Sequence, residues 1–104
     1  MLPMNGVSGD KNLKRFEYKV PGGKLLVAKV KTKDNHISFI QITGDFFLLP
    51  ETDLEDLERK LVGIHATPEI IKEKVINFFN SRNTVIAGAS PKDFAYVIEA
   101  AIKS

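Results

Sequence analysis

The chain has 104 residues, 43% hydrophobic and 27% charged, with a formal net charge of +2, a profile that suits one globular domain and excludes both a disordered chain and two independent domains. The lack of cysteine removes disulfides, thiolate metal sites and cysteine nucleophiles together; with no run near the ~18 apolar residues that span a bilayer and no secretion signal, a cytoplasmic protein is expected. Charge is segregated, with eight bases and two acids in residues 1–33 against seven bases and eleven acids in residues 34–104, which suits phosphates, an acidic partner surface, or a strand edge protected by lysines.

Residues 1–12 mix Gly, Pro, Asn, Ser and Asp without apolar period and read as a flexible arm, so one domain is expected over 13–104. Phe16, Tyr18 and Val20 alternate with Glu17 and Lys19, the period of a half-buried strand, and Pro21-Gly22-Gly23 then turns the chain. A second strand over 24–33 places Leu26, Ala28, Val30 and Thr32 on its core face. Asp34-Asn35 is a two-residue turn signal, and 36–43 completes an antiparallel hairpin. Its Ile37, Phe39, Ile40 and Ile42 occupy both faces, which predicts a central strand.

Residues 45–50 form a short extended piece or a loop ending at Pro50. Thr52 and Glu55 are spaced as a capping box for a helix over 53–62, with Leu54, Leu57 and Leu61 on one side and Gly63 at its stop. Thr67-Pro68 starts a second helix, lined by Ile71, Val75, Phe78 and Phe79 and ending near Asn80. After an irregular TVIAGA stretch, Ser90, Pro91 and Asp93 start a third, with Phe94, Val97, Ile98, Ala101 and Ile102 as its stripe. The order predicts an α+β fold: a small antiparallel sheet of three or four strands followed by three helices packed on one face.

No catalytic residue set emerges. His36 and His65 stand 29 residues apart outside any spaced ligand cluster, so no metal site is expected. Ser38, Ser81 and Ser90 lack a nucleophile elbow, and Ser90 is a helix cap. Glu51, Asp53, Glu55, Asp56 and Glu58 cross a helix start, where negative charge offsets the macrodipole. Two segments invite more than a structural role. Gly22-Gly23-Lys24 leads into a strand, not the helix a phosphate loop needs, yet it pairs a close-approach backbone with an outward lysine. Gly44-Asp45-Phe46-Phe47 sets a carboxylate and two aromatics at a strand's end, for the domain's own core or for contact with a partner.

Taken together, PGGKLLVAKVK, HISFIQITGDFFLLPE and LEDLERKLVG resemble the C-terminal domain of lipoate-protein ligases, over about residues 16–63. The resemblance implies an accessory role in an enzyme that activates lipoate with ATP as lipoyl-AMP and transfers the lipoyl group to a lysine of a lipoyl domain. It implies a heterodimer whose catalytic subunit binds most of the ATP and lipoate, with lipoyl-domain proteins as transient partners and no activity in this chain alone. Gly22, Gly23 and Lys24 would then lie near the nucleotide, and Gly44, Asp45, Phe46 and Phe47 at the partner interface. Met1 ahead of a short tail suggests a separately encoded subunit. The alternative is a nucleic-acid module that uses Lys29 and Lys31 with Phe16, Tyr18 and Phe39, although the strand order lacks RNA-recognition motifs.

Overall fold

The computed structural model describes residues 13–104; the expected arm at 1–12 lies outside them. Three antiparallel strands, β1 (Lys14–Lys19), β2 (Leu25–Lys33) and β3 (His36–Gly44), form a sheet in that order. The β1–β2 connection carries the signature of a type II turn: Pro21 at the second position, Gly22 at φ +70° at the third, and a Gly23 N–H bond to the Val20 carbonyl at 2.8 Å. Asp34 and Asn35, at φ +53° and +64°, make the tight hairpin turn that their residue types announce.

The central strand is β2, not β3 as expected. The apolar residues on both parities of β3 have another cause. Lys31 pairs with Phe39 but Thr32 pairs with Ile37, so Ser38 is an extra residue that shifts the alternation. Ile37, Ile40 and Ile42 all turn to the helices through this bulge, whereas Phe39 stays 42% exposed on the other face. The outer edge of β3 is closed by its own chain. Gly63 N–H donates to the Ile37 carbonyl at 2.7 Å, Ile37 N–H to Ile64 at 3.0 Å, and Ile42 N–H to Glu58 Oε2 at 2.8 Å.

Two further strands, β4 (Phe47–Leu49) and β5 (Val85–Ala87), pair antiparallel as a separate ribbon. Helices α1 (Thr52–Leu61), α2 (Pro68–Asn80) and α3 (Pro91–Lys103) complete the chain, so the expected α+β fold is present with a fifth strand between the last two helices. The expected Thr52 cap does not form. Glu51 stands at the N-cap position without a side-chain bond, and Thr52 is already helical. At α3 the signal works as expected, with the Asp93 carboxylate accepting both the amide and the hydroxyl of Ser90 at 2.9 Å.

Helix α3 crosses β1 and β2, α1 lies on β3, and α2 packs against both other helices. Leu26, Ala28, Val30, Ile42, Leu57, Ile71, Phe94 and Ile98 meet in one apolar core. Through it runs a line of rings, with Phe46 edge-on to Phe94 at 5.0 Å, Phe94 beside Phe79 at 5.6 Å, and Phe79 edge-on to Phe78 at 5.3 Å.

Glu58 gives this core a testable electrostatic feature. Burial raises its pKa above the usual glutamate range, opposed by its bond from the Ile42 amide. A raised folded-state pKa means that Glu58 favours folding when protonated, and that this contribution is lost as pH rises through the folded value. Glu58→Gln keeps an acceptor for Ile42 without the half-buried charge, so at pH 7 it should match or exceed the parent in stability. Glu58→Ala orphans a buried N–H and should lose about 1–3 kcal/mol in denaturant unfolding.

Candidate functional site

The two segments that the sequence marks come together at one end of the molecule, joined by a third. Lys24 N–H donates to the Gly88 carbonyl at 3.1 Å, which ties the start of β2 to the residue after β5. Asp45 N–H donates to the Leu25 carbonyl at 3.0 Å, which ties the end of β3 to the same strand start. Gly88, at φ +96°, lies between the two: a Cβ there would stand 2.8 Å from Lys24 Cγ and 3.3 Å from Phe46 Cα. The aliphatic stem of Lys24 thus lies across Gly88, and its exposed ammonium is carried at the edge.

This arrangement limits what the glycine turn can offer a ligand. The Gly23 and Lys24 amides are committed to Val20 and Gly88, so the Lys24 ammonium is the positive group that the segment turns outward. Asp45 and Gly44 are exposed beside it. Gly88 was legible only as part of an irregular stretch, because its role depends on the pairing of β5 with β4, 36 or more residues away in the chain.

The aromatic pair is divided between inside and outside. Phe46 is half-buried against Phe94, whereas Phe47 is 53% exposed. In the ribbon, Leu48 and Ile86 face the core while Phe47, Leu49 and Val85 form an outer apolar row, the latter two at 50% and 57% exposure. Beside the row, a groove of about 300 Å³ is lined by Ile42, Gly44, Phe46, Phe47, Glu51 and Leu54, among others.

The ribbon is held to the body by a buried carboxylate. Asp53, 4% exposed, accepts Arg82 Nη1 at 2.8 Å and the Thr84 hydroxyl, so the first turn of α1 grips the segment entering β5. The sequence placed Asp53 among acids that offset a helix dipole; the long-range partners were invisible to local spacing. Arg82 also bonds Asp56 Oδ2 at 2.9 Å, which holds the Asp56 carboxyl below its ordinary range.

Phe16 and Tyr18 turn to the helix side, where both contact Tyr96, while Lys29 pairs across the sheet with Arg15 and Gln41 on the opposite face. The stacking platform of the nucleic-acid alternative is therefore split between faces. His36 and His65 come together with ring centroids 4.2 Å apart. Among the described residues, no group of three or more His, Asp or Glu side chains is placed to hold a metal ion, and no helix is long and apolar enough to cross a membrane.

With this geometry established, residues 14–98 match the family described as bacterial lipoate protein ligase C-terminus. The chain belongs to that family. It is 37% identical over 60 residues to lipoate-protein ligase A subunit 2 of Thermoplasma acidophilum, an alignment covering 58% of this chain and 61% of the relative. The chain is thus matched over less than two thirds of that relative's length. A solved structure from the same organism, of an archaeal lipoylation system comprising a bi-partite lipoate protein ligase and its E2 lipoyl domain, superposes with a TM-score of 0.68 at 29% identity. That match covers 83% of this chain and 91% of the other. The resemblance read from residues 16–63 thus extends through the ribbon and most of α3.

Proposed function

We propose that this chain is the accessory subunit of a two-chain lipoate-protein ligase, acting with a catalytic subunit in ATP-dependent activation of lipoate to lipoyl-AMP during protein lipoylation. The observation that carries the reading is a ligase C-terminal domain whose candidate edge combines one outward ammonium with a bare apolar ribbon. Such an edge completes a site on another chain. The likeness to a bi-partite ligase supports the same division of labour.

In this reading the catalytic subunit binds ATP and lipoate and meets lipoyl-domain proteins transiently. The accessory chain contributes closure and charge. Adenylation develops negative charge on the oxygens of the transferring phosphate and of the departing pyrophosphate, where a positioned ammonium is effective, and the mixed anhydride must be shielded from water. Lys24 supplies the charge, while Phe47, Leu49 and Val85 supply the apolar contact.

The test is a calorimetric titration of the ligase catalytic subunit with this chain. Exposed aromatics in an interface commonly dominate binding, so Phe47→Ala should weaken association by about 2 kcal/mol while leaving the unfolding curve in place. Absence of binding by the parent chain would overturn the subunit reading. Unchanged affinity in a folded Phe47→Ala variant would remove the ribbon from the interface.

A further inference from the structure

A second feature lies away from the glycine-lined edge. The end of α1, the second half of α2 and the residues just after each helix border an open cavity of about 380 Å³ lined by Lys60, Lys74, Asn77 and Arg82 together with Ile64, Phe78 and Ser81. Among the described residues, no carboxylate lines it, although the chain from residue 34 onward is net acidic. An adjoining cavity of about 280 Å³ adds Arg59 to the same basic rim, with Asp56.

The guanidinium of Arg82 is fixed before any ligand arrives. It lies over the Phe78 ring at 4.5 Å from the centroid, and both carboxylate bonds go to Nη1 alone. One nitrogen is thus held by Asp53 and Asp56, while the remaining N–H groups of the fork have no bond to either acid. Helix-end electrostatics account for Arg59 and Lys60, which sit in the last turn of α1. They do not account for Lys74, which stands mid-helix in α2.

We propose that this cavity is a binding site for an oxyanion of the phosphate class, held by Lys60, Lys74 and the free edge of Arg82 with the Asn77 amide as a further donor. Arg59, Lys60, Lys74 and Arg82 outnumber Asp53 and Asp56, and the fork geometry of Arg82 suits a tetrahedral oxyanion. The cavity shares no lining residue with the apolar row of Phe47, Leu49 and Val85, so substitutions at Lys60 and Lys74 test it apart from the partner surface. The oxyanion comes either free in solution or as a phosphoryl group carried by a larger molecule.

Pyrophosphate titration of the full chain, followed by amide and side-chain NMR shifts at constant ionic strength, tests this. Saturable shifts should cluster at Lys60, Lys74, Asn77 and Arg82, and Lys74→Glu should raise the half-saturating concentration about tenfold or more. A parallel titration with a phosphoserine peptide identifies the source: tighter binding of the peptide assigns a carried group, and tighter binding of pyrophosphate a free ion. Lys60→Gln provides a second readout without charge reversal and should weaken binding in the same direction. Shifts that never saturate and spread equally to Lys24 and Lys29, or that survive Lys74→Glu unchanged, would overturn the proposal.

Discussion

Lys24→Ala should slow lipoate-dependent ATP–pyrophosphate exchange by the assembled ligase by about one to two orders of magnitude, with the subunit affinity nearly unchanged. The expectation follows from how Lys24 is built into the edge. Its amide is spent on Gly88, its stem lies across the same glycine, and its ammonium is exposed. Truncation removes the charge and leaves the backbone bonds intact. On the proposed role the charge acts only while the phosphate reacts, so transfer from supplied lipoyl-AMP should stay near normal. A purely docking lysine predicts the reverse, weakened assembly and full rates at high subunit concentration, and a lysine that only follows a turn predicts no change in either.

The second large effect concerns Gly44. A Cβ at this position would stand 2.1 Å from the Leu25 carbonyl oxygen, which is the acceptor of the Asp45 amide, and the backbone φ is +153°. The obstacle is backbone, so no rotamer change relieves it. Gly44→Ala should therefore break the last rung of the β2–β3 pair and cost more than about 3 kcal/mol in chemical unfolding. Gly63→Ala is the control. Its φ is +95°, but a Cβ there meets nothing within 4 Å, so the cost should be only about 1–2 kcal/mol. Equal losses at the two positions would show that conformation alone, and not the close approach to Leu25, makes Gly44 necessary.

What the sequence disclosed and what it hid divide along the range of the interaction. Period-two alternation and local turn chemistry located β1, β2 and the Asp34-Asn35 hairpin, because each signal sits within a few residues. The bulge at Ser38 was hidden, since a one-residue register shift appears in sequence only as apolar residues on both parities, the same pattern a central strand leaves. Strand β5 was hidden for a related reason: three residues carry no period, and Val85–Ala87 becomes a strand only through β4. The glycine and aromatic segments of the candidate site could be seen singly. Their meeting at Gly88, and the grip of Asp53 on Arg82 and Thr84, depend on contacts across 29 residues or more.

Pyrophosphate exchange into ATP with lipoate present, measured for this chain, for the ligase catalytic subunit and for their mixture, tests the central claim most directly. The accessory-subunit reading predicts no exchange by this chain alone and a rate in the mixture well above that of the catalytic subunit alone. Exchange catalysed by this chain free of partner, or a catalytic subunit whose full rate is unaffected by adding it, would contradict the account.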